Sequence, residues 1–258
     1  MRQFRDICEQ AARAGGQVLV EMRGNFTTRE KAPADLVTEA DVASQAAIKE
    51  LVLNAYPEHN FVGEEDESAQ VVSDSEFTWI VDPLDGTTNY VHGLENYSVS
   101  VALQRDSEVI AGCVFDPINN KCFSATLGDG ALCNGQALQV SSVTTVGQAL
   151  IAASLPARVE HDSAEVKRFL AVLYQCQAIR RLGSAALNLC YTAAGNLDAY
   201  WATSVKKWDV AAGLLILQEA GGCATDLEGQ AIDLESPKFI VSSSDLLQRE
   251  LIDILRLS

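Results

Sequence analysis

Apolar positions along the chain change their spacing several times, and each change marks an element. Between residues 4 and 23, Ile7, Cys8, Ala11, Ala12, Val18, Leu19 and Met22 recur at near-helical spacing, predicting an amphipathic helix that ends near Gly24. A loop through Lys31 and Pro33 and a short strand end at Asp35-Leu36-Val37 lead to a second helix. Thr38 or Asp41 caps it, and it runs to about Ala55, where Tyr56-Pro57 stops it. Phe61-Val62 and then Phe77, Trp79, Ile80 and Val81 are short apolar runs that read as buried strands. Tyr97–Leu103, Val109–Phe115 and Lys121–Ala125 alternate, with turn residues between them, and Gly128-Asp129-Gly130 and Asn134-Gly135 continue an antiparallel meander.

Past the polar stretch from Ser141 to Gln148 the pattern changes. Strands are predicted at 149–154, 178–182, 197–202 and 239–242, and helices at 164–174, 185–195, 208–219 and 245–255. Alternating strands and helices mean an α/β unit. The chain therefore reads as α/β overall: an α+β domain over residues 1–145 and an α/β domain over 146–258.

The composition of the 258 residues, 48% of them apolar, suits a buried core. No segment approaches the roughly 20 apolar residues of a membrane span, and the charged start lacks a secretory pattern, so a cytoplasmic protein is expected. Seven cysteines without a CxxC pair argue against a disulfide framework or a thiolate zinc site. A formal net charge of −16, from 35 acidic and 19 basic residues, argues against direct binding to nucleic acid or an anionic membrane. It also means that a phosphate ligand would be repelled unless bound cations reversed the local sign.

Against that background one stretch stands out: Trp79-Ile-Val-Asp82-Pro-Leu-Asp85-Gly-Thr87-Thr-Asn89. Two carboxylates leave the end of a strand at chain-reversing signals, and Gly86 allows close backbone approach where Thr87-Thr88 can open a helix. Hard oxygen donors beside free amides suit Mg²⁺ and a phosphate; an Asp85 that only caps the helix is the plainer alternative. Glu64 opens an acidic run to Glu67, which is either solvated surface or a strand end pointing inward. Asp41 and Asp209 carry the same ambiguity between helix cap and metal site. If Glu64, Asp82, Asp85 and Asp209 converge, they make a site for two ions roughly 4 Å apart.

Gly63-Glu64-Glu65, Asp82-Pro-Leu-Asp85-Gly-Thr87-Thr-Asn89 and Trp208-Asp209-Val-Ala-Ala-Gly213, in this order, resemble the inositol monophosphatase family of Mg²⁺-dependent, lithium-sensitive phosphatases. Asp35-Leu-Val-Thr38-Glu-Ala-Asp41, Cys133-Asn134-Gly135 and Gly183-Ser184-Ala185-Ala186 extend the resemblance over nearly the whole chain. It implies a layered α-β-α-β-α sandwich, assembled as a homodimer, that hydrolyses a small phosphate monoester with metal-activated water. It also implies about two to three Mg²⁺ ions. Glu64, Asp82, the Leu84 carbonyl, Asp85 and Asp209 are their implied ligands, and Glu64, Thr87 and Asp41 are implied in catalysis. Gly86, Thr87, Gly183, Ser184, Ala185 and Asp209 are implied substrate contacts. The substrate expected is a phosphorylated polyol or nucleotide. Alternatives are a 3′-phosphoadenosine 5′-phosphate or fructose-1,6-bisphosphate type phosphatase, or a protein-binding regulator of RNA metabolism with secondary catalysis.

One departure bears on specificity. The family places an inositol-binding glutamate seven residues before its last metal aspartate, and here that residue is Ala202. Lys206 and Lys207 follow; together with Arg180 and Arg181 they either reach a second anionic group on the substrate or are plain surface charges.

Overall fold

The computed structural model describes residues 1–32, 35–66 and 74–256, with the side chains of 29–32 and 35–37 left aside. Pro33 and Glu67 lie outside the described residues, as do the side chains of Lys31, Asp35, Leu36 and Val37.

Among the described residues, two large sheets and the α-helices packed on them form alternating layers, with a separate two-stranded hairpin. The first sheet has seven strands in the order of the chain: β3 (Asn60–Gly63), β4 (Phe77–Asp85), β5 (Ser98–Arg105), β6 (Glu108–Asp116), β7 (Lys121–Thr126), β8 (Ala131–Cys133) and β9 (Gln136–Ala137). β3 runs parallel to β4, and the remaining neighbours are antiparallel. Helices α1 (Arg2–Met22) and α2 (Glu39–Ala55) cover one face, where Leu19 and Ile48 pack with Trp79, Val81, Val99 and Val101. On the opposite face Ile80, Ala102 and Val114 meet α5 (Ala185–Ala193) and α6 (Lys207–Glu219). Trp79 and Val81 face one way and Ile80 the other, as the two-residue period of a strand requires. Because both faces are covered, the run is apolar throughout.

α5 and α6 are shared by the second sheet, whose order is β11 (Ala178–Arg180), β10 (Leu150–Ser154), β12 (Ala199–Ala202), β14 (Phe239–Ser242) and β13 (Cys223–Thr225). Tyr200 and Phe239 join the core on α5 and α6, while Ile151, Trp201 and Ile240 face α4 (Ala164–Leu173) and α7 (Asp245–Arg256). The sandwich is thus α-β-α-β-α, as the family resemblance implies. β10 is parallel to β11 and β12, and β14 is antiparallel to its neighbours. Packing in the middle layer is close: a Cβ on Gly112 of β6 would lie 2.9 Å from the Ala212 Cα of α6. Only glycine lets that helix sit down on that strand.

Three local readings need correction. β4 does not end at Val81; it continues through Pro83 to Asp85, with its register against β5 shifting between Asp82 and Asp85. Proline is tolerated there because an irregular register leaves its missing donor unneeded. The stretch before α2 is a hairpin, β1 (Thr28–Ala32) on β2 (Asp35–Thr38), where only a strand end was expected. β13 had no predicted counterpart, since three residues after Gly221-Gly222 are too few to show a period.

Candidate active site

The register of β3 on β4 carries the first pair of carboxylates to the same level. Gly63 is opposite Val81, and Glu64 N donates to Val81 O at 3.1 Å, so Glu64 and Asp82 follow side by side on strands about 5 Å apart. Gly63 has no Cβ because the Gln45 amide of α2 lies against it, and Gln45 Oε1 accepts from Glu65 N at 3.0 Å. Asp82 is buried, and its Oδ1 accepts from Leu84 N at 2.9 Å, closing an Asx turn inside the irregular part of β4.

Asp85 does cap a helix, though not the one beginning at Thr87. Its carboxylate accepts from Ala185 N at 3.0 Å, Ala186 N at 2.8 Å and Ser184 Oγ, all at the start of α5, and from Ser98 Oγ at 3.4 Å. The Ser184 hydroxyl and Ala185 amide, expected among the substrate contacts, are thereby engaged with Asp85. Gly86 has φ +99°, and a Cβ there would come within 3.1–3.3 Å of Asn96 O and Gly183 O, so the two halves of the chain touch at this residue.

Asp41 and Asp209 both act as caps through one carboxylate oxygen. Asp41 Oδ2 accepts from Thr38 N at 2.9 Å and Thr38 Oγ1 at 2.6 Å, and its Oδ1 faces Thr87 Oγ1 at 3.4 Å. Thr87 Oγ1 also donates to Leu84 O at 3.1 Å. Asp209 Oδ2 accepts from Lys206 N at 2.8 Å, and Ser100 Oγ of β5 donates to Trp208 O at 3.1 Å, tying the start of α6 to the first sheet.

The electrostatics are those of an anionic cluster. Burial, then the charges of Glu64, Asp209 and Asp85, push the Asp82 carboxyl well above the ordinary carboxylate range. Burial raises Asp85 against the opposing hydrogen bonds from Ser184, Ala185 and Ala186. Burial and Asp85 push Asp209 up to about 8, and burial raises Asp41 to about 6. Among the described residues no three His, Cys, Asp or Glu side chains are grouped closely enough to hold one metal ion between them as they stand. The donor set fits Mg²⁺ in kind: hard carboxylate oxygens in a dry neighbourhood, repelling one another.

Asp85 and Asp209 open onto a cleft of about 570 Å³. The ends of β10 and α5 border it with Ser154, Arg181 and Gly183, and Thr88 and Asn89 of α3 (Thr87–Val91) close the near side. Of the four basic residues singled out, Arg181 alone lines it; Arg180 donates to Ile179 O at 2.9 Å and Lys207 pairs with Glu235 at 3.2 Å.

Sequence reasoning gave no role to Asn89, Asn96 or Ser98. Asn89 Nδ2 donates to Asn96 O at 2.7 Å and Leu182 O at 2.8 Å, and Asn96 Nδ2 donates to Leu182 O at 3.0 Å. These bonds hold the loop before α5 against the Asp85 loop. Asn89 lay within the motif, one turn past Gly86, and that was the available signal; Asn96 and Ser98 carried none.

A five-layer sandwich with carboxylates gathered at a cleft between its two sheets is the build of a phosphomonoesterase. Comparison with known proteins agrees. The inositol monophosphatase family model matches residues 1–257. The chain is 37% identical over 252 residues to Nus factor SuhB of Pasteurella multocida, covering 96% of this chain and 94% of that protein. It is also 37% identical over 246 residues to inositol-1-monophosphatase of Rhizobium meliloti, covering 93% and 92%. The crystal structure of extragenic suppressor protein suhB from Bartonella henselae superposes with a TM-score of 0.92 at 34% identity, covering 97% of each chain. The chain belongs to the inositol monophosphatase family.

Proposed function

We propose that this phosphatase hydrolyses a small phosphate monoester in a Mg²⁺-dependent reaction at the cleft bordered by Asp85 and Asp209. The observation that supports this reading best is the convergence of the Glu64, Asp82, Asp85 and Asp209 carboxylates, close enough to raise one another, beside the Thr87–Asp41 pair.

Glu64, Asp82, Asp85, Asp209 and the Leu84 carbonyl would hold Mg²⁺. When bound, it supplies Lewis acidity and the positive charge that offsets the carboxylates' repulsion of a phosphate. Thr87, its hydroxyl placed by Asp41 and Leu84 O, positions the attacking water together with Glu64, whose carboxylate takes up its proton. Backbone amides at Gly86 and Thr87 receive phosphoryl oxygens as charge redistributes. Attack is in line with the ester oxygen, and no covalent enzyme intermediate forms. Asp85 holds the start of α5, and with it Gly183, at a fixed place beside the reacting group. With Ala202 lacking a hydroxyl acceptor, turnover of inositol 1-phosphate is weak compared with another monoester. The working form is a cytoplasmic homodimer inhibited by Li⁺.

The test is phosphate release from a panel of polyol, sugar and nucleotide phosphates with Mg²⁺, with and without Li⁺. Asp85→Asn, its fold checked by circular dichroism, lowers that release by about 10² or more. Full Mg²⁺-dependent activity in the folded variant would overturn the site, and a clear preference for inositol 1-phosphate would overturn the specificity. A second reading, favoured by relatives named Nus factor SuhB, has the chain act by binding another macromolecule. A partner retained equally by inactive Asp85→Asn would support it.

A further inference from the structure

The cleft has a far end that the hydrolytic machinery does not use. Arg181 stands exposed on its rim, the one cation among the lining residues, which also include Asp85 and Asp209. Among the described residues it makes no hydrogen bond and no ion pair. In a chain with 35 acidic and 19 basic residues, an arginine left without a carboxylate beside a strongly acidic pocket is unusual.

Its backbone is not loose. The carbonyl of the next residue, Leu182, accepts from both Asn89 Nδ2 and Asn96 Nδ2. Gly183 follows at φ +88°, and a Cβ there would run into Asn89 Nδ2 at 2.7 Å. Two residues on, Ala185 and Ala186 are gripped by Asp85. The segment bearing Arg181 is therefore fastened on its C-terminal side to the loop that carries the carboxylates, and on its N-terminal side β11 pairs with β10, so the cation projects from an anchored backbone.

Ser154, at the end of β10, lines the same cleft. Tyr200 Oη donates to Ser154 Oγ at 2.8 Å, and burial raises Tyr200 so that it keeps its proton. The Ser154 oxygen is thus occupied as an acceptor, and its own O–H is left to give to a ligand. A guanidinium carried on an anchored backbone and an oriented hydroxyl donor, with no acceptor side chain at Ala202, suit an anion rather than a sugar hydroxyl.

We propose that the preferred substrate carries a second anionic group besides its ester phosphate, a carboxylate or another phosphate, and that Arg181 and Ser154 receive it. This rests on the phosphatase reading and specifies the far end of its site. Arg181 and Ser154 are then specificity residues, acting through substrate binding and separate from the groups that hold Mg²⁺ or activate water.

The test compares matched pairs: glycerol phosphate against phosphoglycerate, and a hexose monophosphate against its bisphosphate. The wild-type kcat/KM is higher for the more anionic member of a pair by about tenfold or more, and which pair shows it tells carboxylate from phosphate. The readout for variants is that ratio, which a general folding loss does not move. Arg181→Gln brings it close to one, mainly through KM, Arg181→Lys retains part of it, and Ser154→Ala lowers it by a few-fold. A ratio near one in the wild type, or an unchanged ratio in Arg181→Gln, overturns the inference while phosphate release itself upholds the phosphatase reading. No Mg²⁺-dependent release from any ester overturns both.

Discussion

Asp41 and Asp209 each commit one carboxylate oxygen to a helix start and leave the other free of that cap. One oxygen accepts from the backbone N–H of Thr38 or Lys206 and steadies a helix start, while Asp41 turns its other oxygen to Thr87. From the sequence, cap and site were rival explanations, because both are written as an acid at the start of a helix. The structure makes them compatible, since a carboxylate has two oxygens and a cap uses only one. Thr87 gives a clean test of this arrangement. Thr87→Ala lowers kcat by about 10², and Thr87→Ser recovers most of it, because only the hydroxyl is required. Steady-state kinetics with saturating Mg²⁺ checks it; a kcat in Thr87→Ala equal to wild type would remove Thr87 from the mechanism.

At the scale of elements, the irregular end of β4 matters most. Its apolar run was legible, but its continuation through Pro83 was not, because proline normally ends a strand. The surroundings override that preference: β5 still pairs beyond the shift, and Ser44 Oγ of α2 donates to Pro83 O at 3.0 Å. Gly86 follows at φ +99°, wedged against Asn96 O and Gly183 O. Gly86→Ala destabilises the fold by about 1–2 kcal/mol and lowers kcat/KM as well, since strain there displaces Thr87 and Asp85. Gly24→Ala is the control. It also has positive φ, +79°, but nothing lies within 4 Å of its Cβ, so the melting temperature falls and kcat/KM does not. Thermal melts and kinetics on the two variants separate backbone strain from damage to the site.

For the whole molecule the decisive quantity is unpaired charge. Burial raises Asp41 to about 6, and burial with the repulsion of neighbouring carboxylates raises Asp209 to about 8 and raises Asp82 as well. In the unfolded chain these groups ionise near 4. Between those values the folded protein holds more protons than the unfolded one, so stability falls as pH rises from about 4 to about 8. In EDTA the protein therefore melts at a higher temperature at pH 5 than at pH 8.5. Mg²⁺ competes for the same oxygens and raises the melting temperature more at pH 8.5, and Asp209→Asn shallows the slope in EDTA. A melting temperature in EDTA that climbs with pH would contradict the cluster. The sequence by itself determined the order of most helices and strands and the acidic residues at their ends, because period, caps and turn residues act over a few positions. Only the tertiary structure decided what those residues touch. Asp85 meets the start of α5, Asn89 meets Leu182, and Arg181 comes to stand over the cleft. Hydrogen bonds between positions about a hundred residues apart leave no period in a chain, and they exist only once the layers have packed.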